Sequence, residues 1–296
     1  MPALPQIHQD QVANDIYEAA ARMNDSEKPR NYLGMSQIGA PCDRALWYQF
    51  RQFSPRRVEG RIKMIWELGD LIEAKIIQYL LAAGYEVTGI HRQVVKILRA
   101  LGVEVEDQDQ LRFSAHNDWF GGHCDGQVHG VTRRVHILEC KSAKASKFKS
   151  IKQGGIRRTY PVYYCQGQLY MGYAGLERIL WVVYNKDTSE IYTERGYFNL
   201  QDFEALNNRA FHIITANQPP PRIKDDPGCF ECAWCDYKTL CWTPENHTQR
   251  WLTCGSCERC RFQGLTATCQ GQEIPRDWWG QPCRNWSPNP DVLVPF

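Results

Sequence analysis

The sequence predicts an α/β fold in which a mixed sheet is flanked by helices. Helical periodicity dominates the first part of the chain, and strand-like stretches follow in its middle. A helical segment then separates two of those strands. Strands that alternate with crossover helices are typical of α/β sheets.

The N-terminal half supplies most of the helical signal. Amphipathic helices are predicted at 11–23, 42–50 and 63–84, the last with Gly84 as a natural stop. Strand-like composition follows, rich in β-branched and apolar residues. Strands are predicted at about 86–97, 101–105, 119–130, 134–142, 178–185 and 190–198.

Two further helices complete the predicted fold. One covers 161–174 with a proline at its start, and one covers about 200–216. The prolines of "NQPPPRIKDDPG" then end regular structure and mark a boundary. Beyond it the composition changes, because nine of the thirteen cysteines follow residue 228.

The composition indicates a globular protein of 296 residues with a formal net charge of +2. No apolar run approaches membrane-spanning length, and the first residues resemble an amphipathic helix more than a signal peptide. We therefore expect a cytoplasmic location and no membrane contact. In a reducing compartment, an odd number of closely spaced cysteines favours metal binding over disulfides.

Positive charge is concentrated in one stretch, from Lys141 to Arg158, which contains seven basic residues and no acidic ones. Such a stretch suits the phosphate backbone of a nucleic acid. A solvated basic surface explains the charge equally well.

The stretch "HILECKSAK" places Glu139 and Lys141 on the same face of a predicted strand. Ionisable groups on a strand face are costly to bury unless they pair with each other or bind an ion. Asp125 precedes Gly126 on the strand before, so a hairpin would bring it beside Glu139. Paired carboxylates of this kind commonly hold a divalent cation.

This arrangement suits phosphodiester hydrolysis. Asp125 and Glu139 would ligate Mg²⁺ or Mn²⁺, with the carbonyl of Cys140 as a further ligand. Lys141 would orient the attacking water and offset charge in the transition state. Taken alone, the Glu-x-Lys triplet is equally compatible with a surface salt bridge.

Three more residues extend the candidate site. Glu73 lies on a strongly apolar helix, at the edge of its buried face or in the metal site. Gln166 and Tyr170 are four residues apart on one helical face, where they would contact the site and the DNA backbone together. Ordinary helix packing is the alternative for this pair. His123 either reaches the site or is a hydrogen-bonded structural histidine.

In order and spacing, the motifs resemble those of PD-(D/E)XK nucleases, in particular RecB-like exonucleases of the phage recombination type. The resemblance runs through "GDLIE", "GGHCDG", "LECKSAK" and "QGQLYMG" to "CAWCDYKTLC". It implies a restriction-endonuclease-like mixed central sheet flanked by helices. It also implies catalytic roles for Asp125, Glu139 and Lys141, with Glu73, Gln166 and Tyr170 completing the site.

The first cysteine group contains Cys232, Cys235 and Cys241. A tetrahedral sulfur set needs a fourth thiolate, and local spacing favours Cys229. The family resemblance implies Cys42 instead, in a [4Fe-4S] cluster that joins the two ends of the nuclease core. Spacing alone does not separate iron–sulfur from zinc.

The last fifty residues form a second cysteine group, which predicts a zinc-ribbon-like tail. The segment is too short for a core of its own, so metal would supply folding energy. We accordingly expect a nuclease domain at 1–245 and a metal-binding tail at 246–296. The predicted zinc ligands are Cys254, Cys257, Cys269 and Cys283, with Cys260 as an alternate.

The sequence thus predicts a metal-dependent DNA nuclease, most simply an exonuclease of phage-type recombination or DNA processing. Its expected partners are DNA and a single-strand annealing or other recombination protein, and an oligomer is compatible with the sequence. A non-catalytic, metal-stapled DNA-binding protein is the rival. A cluster-dependent redox protein is disfavoured, because the chain has no Gly-rich dinucleotide loop.

Overall fold

The structure, a computed structural model, describes residues 6–23, 30–53, 58–106, 108–243, 253–281 and 283–287. Its helices carry the labels α1 to α10 in chain order. They are α1 (Gln6–Met23), α2 (Asp43–Phe50), α3 (Gly60–Ala82), α4 (Arg92–Ala100), α5 (Ala145–Gly154), α6 (Ile156–Thr159), α7 (Pro161–Ala174), α8 (Leu200–Thr215), α9 (Phe230–Ala233) and α10 (Lys238–Trp242).

The strands fall into a central sheet, a small N-terminal sheet and a sheet in the tail. They are β1 (Leu33–Gly34), β2 (Glu86–Thr88), β3 (Arg112–Ala115), β4 (Phe120–His123), β5 (Gly126–His129), β6 (His136–Ala143), β7 (Arg178–Asn185), β8 (Ile191–Tyr197), β9 (Cys260–Gln263), β10 (Thr266–Cys269) and β11 (Gln272–Glu273).

The central sheet is mixed, with the order β2-β5-β6-β7-β8. Strands β6 and β7 pair in parallel, and the other neighbours pair antiparallel. A parallel pair needs a crossover connection, which α5, α6 and α7 provide between β6 and β7. The predicted mixed sheet flanked by helices is confirmed.

Both faces of the central sheet are buried. Along β6, successive side chains point alternately to one face and to the other. Ile137 packs in a core with residues of α2, α7 and α8. Its neighbour Leu138 packs in a second core with residues of α3 and α4. A sheet covered on both sides leaves the strand ends and edges as the natural places for a site.

The small sheet has the order β1-β4-β3. The chain passes from its strand β4 into the central sheet. Strand β4 ends at His123, and β5 begins in the central sheet at Gly126. Asp125 therefore lies at the point where the chain passes from one sheet to the other.

The predicted strands at 86–97 and 101–105 are largely wrong. Only Glu86–Thr88 forms a strand, and Arg92–Ala100 is helix α4. Val94, Val95 and Leu98 are buried together, and Leu98 follows the two valines by four and three residues, as on one face of an amphipathic helix. The β-branched composition suggested a strand, but packing against α3 decides for the helix. Helices α5 and α6 were not predicted.

The cysteine-rich tail packs onto the rest of the fold. Trp279 and Ala267 of the tail belong to the same buried cluster as Trp47 of α2 and Ile213 of α8. Gly255 lies so close to the backbone oxygen of Arg51 that a β-carbon would clash with it. The predicted boundary at residue 245 lies outside the described residues.

Within the described ranges, none of the helices combines the length and the apolar character that a membrane span requires.

Candidate active site

Asp125 and Glu139 lie side by side where β5 meets β6. Gly126 pairs with Leu138, so the residues on either side of that pair, Asp125 and Glu139, are adjacent. The backbone N–H of Cys140 donates to Oδ2 of Asp125 at 2.7 Å, which fixes that carboxylate against β6. The hairpin expected from the sequence thus brings the two acids together.

Lys141 donates a hydrogen bond to Oε2 of Glu139 within a buried ion pair. The side chain of Glu139 is 0% exposed and that of Lys141 is 16% exposed. Burial raises the pKa of Glu139, and the charge of Asp125 raises it further, while Lys141 opposes both. A buried and a half-buried carboxylate thus share one lysine, and an additional cation would stabilise them.

Glu73 approaches these acids from α3. Burial raises its pKa well above the ordinary value, and Asp125 adds to the effect. Its Oε1 atom is buried and has no hydrogen-bond partner within the described residues. The sequence left two positions open for Glu73, the edge of a buried face and the acidic site. In the structure, Glu73 lies within electrostatic reach of the site acids.

Gln166 and Tyr170 pack on the inner face of α7. Nε2 of Gln166 donates to the hydroxyl of Tyr170 at 3.1 Å, and both side chains are buried. The Tyr170 ring fits against Gly122, where a β-carbon would come within 2.7 Å of the ring. Burial raises the pKa of Tyr170, and nearby Glu139 raises it further. The expected contact of Tyr170 with the DNA backbone is not supported, because the side chain is only 2% exposed.

Tyr163 is a neighbour of the site that the sequence analysis did not identify. Its ring centroid lies 5.3 Å from Nζ of Lys141 and 5.4 Å from Nζ of Lys147. Tyr160 packs against it with ring centroids 4.1 Å apart, and Lys147 caps Tyr160 at 3.3 Å. The tyrosines connect Lys141 to the basic helix α5. One signal was available, because Tyr163, Gln166 and Tyr170 follow i, i+3, i+7 spacing.

Two histidines lie near the acids. His123 ends β4, and burial lowers its pKa, with Arg112 and Arg30 acting in the same direction. His91, which the sequence analysis also did not identify, precedes α4. Burial raises the pKa of Asp125, and Lys141, the N–H of Cys140 and His91 oppose that rise.

The donor set fits a hard divalent cation. Oε1 of Glu139 and Oε1 of Glu73 are buried without hydrogen-bond partners in the described part of the chain. Carboxylate oxygens are the ligands that Mg²⁺ and Mn²⁺ prefer. As they stand, no three His, Cys, Asp or Glu side chains of the described residues are arranged to hold a metal ion.

The cysteines of the first group come from distant parts of the chain and lie near one another. Burial raises the pKa of Cys235, and the nearby thiols of Cys42 and Cys241 add to it. Cys232 lies beside Cys235 and also beside Cys229. Burial raises the pKa of Cys232 to about 11, and the neighbouring thiol of Cys229 adds to the effect. Cys42 is thus close to Cys235, and Cys229 is close to Cys232.

The remaining cysteines outside the tail are partly or fully buried. Cys124 is fully buried beside the acids, and burial raises its pKa. Cys140 packs with the core on the α3 side of the sheet. Cys165 is half-buried, and burial raises its pKa as well. All three belong to the buried clusters or pack against them.

A mixed sheet that buries two carboxylates and a lysine beside a third acid is the arrangement expected of a nuclease. Residues 97–177 match the model of a family described as the YqaJ-like viral recombinase domain. The match contains Asp125, Glu139 and Lys141 as well as α7. The match agrees with the resemblance to the PD-(D/E)XK superfamily that the motifs predicted.

Comparison with solved structures finds distant similarities. The crystal structure of SSO0001 has a TM-score of 0.46 and 14% identity, over 81% of this chain and 100% of the other. An alkaline exonuclease from Laribacter hongkongensis has a TM-score of 0.41 and 16% identity, over 67% of this chain and 89% of its own. Its complex with dAMP has a TM-score of 0.41 and 14% identity over the same shares. No curated protein sequence matches the chain.

Proposed function

We propose that the chain is a metal-dependent deoxyribonuclease that hydrolyses phosphodiester bonds. The observation that supports this most directly is the excess of acid around the middle of β6. Glu139 is buried and Asp125 half-buried beside a single lysine, and Glu73 adds a third carboxylate. A protein that only binds DNA gains nothing from repelling phosphate in this way.

Three carboxylates and a backbone carbonyl would hold the metal, namely those of Glu73, Asp125, Glu139 and Cys140. When bound, Mg²⁺ or Mn²⁺ would supply Lewis-acid stabilisation of the phosphate and a more acidic water. The buried hydrogen bond from Cys140 keeps Asp125 aimed at the site. A fixed carboxylate loses little entropy when the ion binds.

Lys141 acts on the reacting phosphate. Although burial lowers it, the charges of Glu139 and Asp125 hold the pKa of Lys141 well above its ordinary value, so the ammonium stays charged. Its three donors can hold the attacking water and offset charge on the phosphate oxygens. Gln166, oriented by Tyr170, completes the polar wall of the site.

Exonuclease action in phage-type recombination is the form of this activity that we propose. The match of residues 97–177 to a viral recombinase domain supports it. The basic residues of α5 and α6 would bind the DNA backbone next to the acids. A single-strand annealing or other recombination protein is the proposed protein partner.

We further propose two metal centres made of cysteines. The first is a [4Fe-4S] cluster, or zinc, held by Cys42, Cys232, Cys235 and Cys241 at the end of a nuclease domain of residues 1–245. The proximity of Cys42 to Cys235 and Cys241 supports it. The second is a zinc site in the tail, residues 246–296. Its proposed ligands are Cys254, Cys257, Cys269 and Cys283, with Cys260 as an alternate.

The experiment compares wild type with Glu139→Gln on end-labelled linear DNA and on circular DNA, with Mg²⁺ and with Mn²⁺. The amide keeps the shape of Glu139 but removes its charge. We expect cleavage to be lost while DNA binding, followed by fluorescence anisotropy, is retained. Glu86→Gln, at an exposed position on β2, is the matched control and should cleave normally.

The outcomes separate the candidates. Normal turnover by Glu139→Gln would contradict the assignment of the site. Cleavage of circular DNA as fast as of linear DNA would contradict exonuclease action. If the wild-type protein binds DNA but cleaves it with neither metal, the rival reading as a non-catalytic DNA-binding protein is correct.

A further inference from the structure

Lys147 of α5 packs on tyrosine rings instead of pairing with an acid. Its side chain is half-buried, and its Nζ lies 3.3 Å from the ring centroid of Tyr160 and 5.4 Å from that of Tyr163. The ion pairs found among the described residues include Lys152 of the same helix but not Lys147. Rings stabilise an ammonium group through their faces and occupy only the N–H donors that face them. The charge of Lys147 is therefore available to an anion from outside the protein.

Tyr163 also contacts Lys141 of the acidic site. Nζ of Lys141 lies 5.3 Å from the same ring centroid. The two ammonium groups are thus separated by no more than the sum of two ring contacts. Neighbouring phosphates of a nucleic-acid strand have a separation of this order. A strand whose reacting phosphate lies at Lys141 would bring the next phosphate close to Lys147.

Both ends of α5 are fixed to the central sheet, so this spacing belongs to the fold. The backbone N–H of Ala145, at the start of α5, donates to Oδ2 of Asp187 at 2.7 Å. The backbone N–H of Ile156, just beyond its end, donates to Oε2 of Glu194 of β8 at 2.9 Å. Phe148, on the inner face of α5, is buried in the core. The helix therefore holds its lysines at fixed positions relative to β6.

The other two lysines of α5 lack this arrangement. Lys149 is exposed and lies on a different face of the helix from Lys147, because two residues separate them. Lys152 pairs with Glu190 at 3.3 Å, and both side chains are more than half exposed. Mobile exposed charges attract DNA without selecting one phosphate. Of the three lysines, Lys147 has the fixed position that a defined phosphate contact requires.

We propose that Lys147 is a specificity-determining residue that binds the phosphate next to the scissile one, with Tyr160 and Tyr163 setting its distance from Lys141. The ligand is a phosphodiester of the same DNA strand. A strand bound by both lysines has its reacting phosphate placed at the acids before cleavage, which lowers the entropic cost of the reaction. This role rests on the proposed nuclease function and adds to it the selection of the reacting phosphate.

The test replaces single phosphates of a short end-labelled duplex by methylphosphonates, which are neutral and similar in shape. One linkage is replaced at a time, at successive positions from each end, and the first cleavage by the full-length protein is followed in single turnover with Mg²⁺. We expect one neutral linkage next to the scissile phosphate to slow wild type by about tenfold or more, the size of one charge-assisted hydrogen bond. Neutral linkages farther away should have much smaller effects.

Lys147→Ala should cleave unmodified DNA about tenfold more slowly, and the sensitive linkage should slow it no further, because the contact is already absent. Lys149→Ala is the matched control on the same helix. It should bind every substrate more weakly but keep the wild-type sensitivity to that one linkage. Tyr160→Phe keeps the ring and should behave like wild type, whereas Tyr160→Leu should lose most of the dependence on position. A purely structural role for Lys147 would slow all substrates equally.

The outcomes distinguish this role from the proposed function. If Lys147→Ala stays as sensitive as wild type to the neutral linkage, or if wild type responds equally at every position, Lys147 makes no defined phosphate contact. Should Lys147→Ala fail to fold, Lys147→Gln takes its place with the same expected result. If the wild-type protein cleaves no unmodified DNA, the nuclease proposal fails, and the binding of the same oligonucleotides, measured by fluorescence anisotropy, decides on Lys147. A loss of affinity at one position that disappears in Lys147→Ala would support the contact, and uniform losses would refute it.

Discussion

At the scale of single residues, burial decides what Glu139 and Lys141 can do. Their ion pair is inaccessible on the acid's side, so solvent does not screen it. The carboxylate of Asp125 adds a second negative charge beside this ion pair. The three groups together are therefore not electrically neutral. An exposed pair of the same sequence would be an ordinary surface salt bridge.

Lys141→Ala should lower kcat by about a hundredfold or more, because the ammonium acts on transition-state charge. Metal affinity should change little, since the lysine is not a ligand. Steady-state cleavage at saturating Mg²⁺ measures the first effect, and calorimetric titration of Mg²⁺ measures the second. A variant with weak metal binding but normal turnover at saturation would contradict this role.

Tyr163 should position Lys141 through its ring. Tyr163→Phe keeps the ring and should cleave nearly as well as wild type, whereas Tyr163→Leu should lose about tenfold in kcat, the size of one partly buried cation–π contact. KM should change less than kcat if the effect acts through Lys141. Equal kcat values for the Phe and Leu variants would show that the ring is irrelevant.

At the scale of elements, α5 presents its lysines in different ways. Lys147 is directed toward Tyr160, Lys149 is exposed, and Lys152 pairs with Glu190 at 3.3 Å. An exposed pair of that kind contributes little energy and breaks readily when a phosphate arrives. The lysines of α5 thus form a basic surface beside Glu139 of β6, and they differ in how readily each is free to bind a phosphate.

Neutralising Lys147, Lys149 and Lys152 together should weaken DNA binding and flatten its dependence on salt. Each lost phosphate contact removes roughly 0.9 from the slope of log K against log salt for duplex DNA. Lys149→Ala should account for one such step. Lys96→Ala on α4, at an exposed position on the other face of the sheet, is the control. An unchanged slope would mean that α5 is only solvated.

At the scale of the whole molecule, residues distant in sequence are joined around α2. Arg44 lies 3.9 Å from Sγ of Cys241, and Arg51 bonds to carbonyls near the end of α8. Trp47 donates to the carbonyl of Ala216 at 2.8 Å between them. One short helix therefore connects the first cysteine group, α8 and the tail.

If Cys42 shares a cluster with Cys232, Cys235 and Cys241, its loss should be as damaging as the loss of Cys235. The loop that the cluster closes contains nearly the whole core, and long loops gain most from closure. Cys42→Ser and Cys235→Ser should each yield colourless protein with depleted iron and a lower Tm. Cys229→Ser should keep its colour and its iron.

The opposite pattern has a clear meaning. If Cys229→Ser loses the metal and Cys42→Ser retains it, the site is a local four-cysteine group. The contact between Cys229 and Cys232 identifies Cys229 as the fourth ligand in that alternative. Zinc would then be the better assignment.

The sequence by itself determined the parts of this protein that follow from local periodicity. Alternation along β6 placed Glu139 and Lys141 on one face, and the predicted helix at 161–174 coincides with α7. The acids and the lysine could be recognised because their spacing within short segments is fixed by the backbone.

Tertiary structure alone decided the rest. Helix α4 formed where composition favoured a strand, because α3 offered an apolar face to pack against. Tyr163 became a neighbour of Lys141 only through the crossover between β6 and β7, and Arg51 met the tail across two hundred residues of chain. Contacts of this kind depend on packing between distant segments, and no local pattern encodes them.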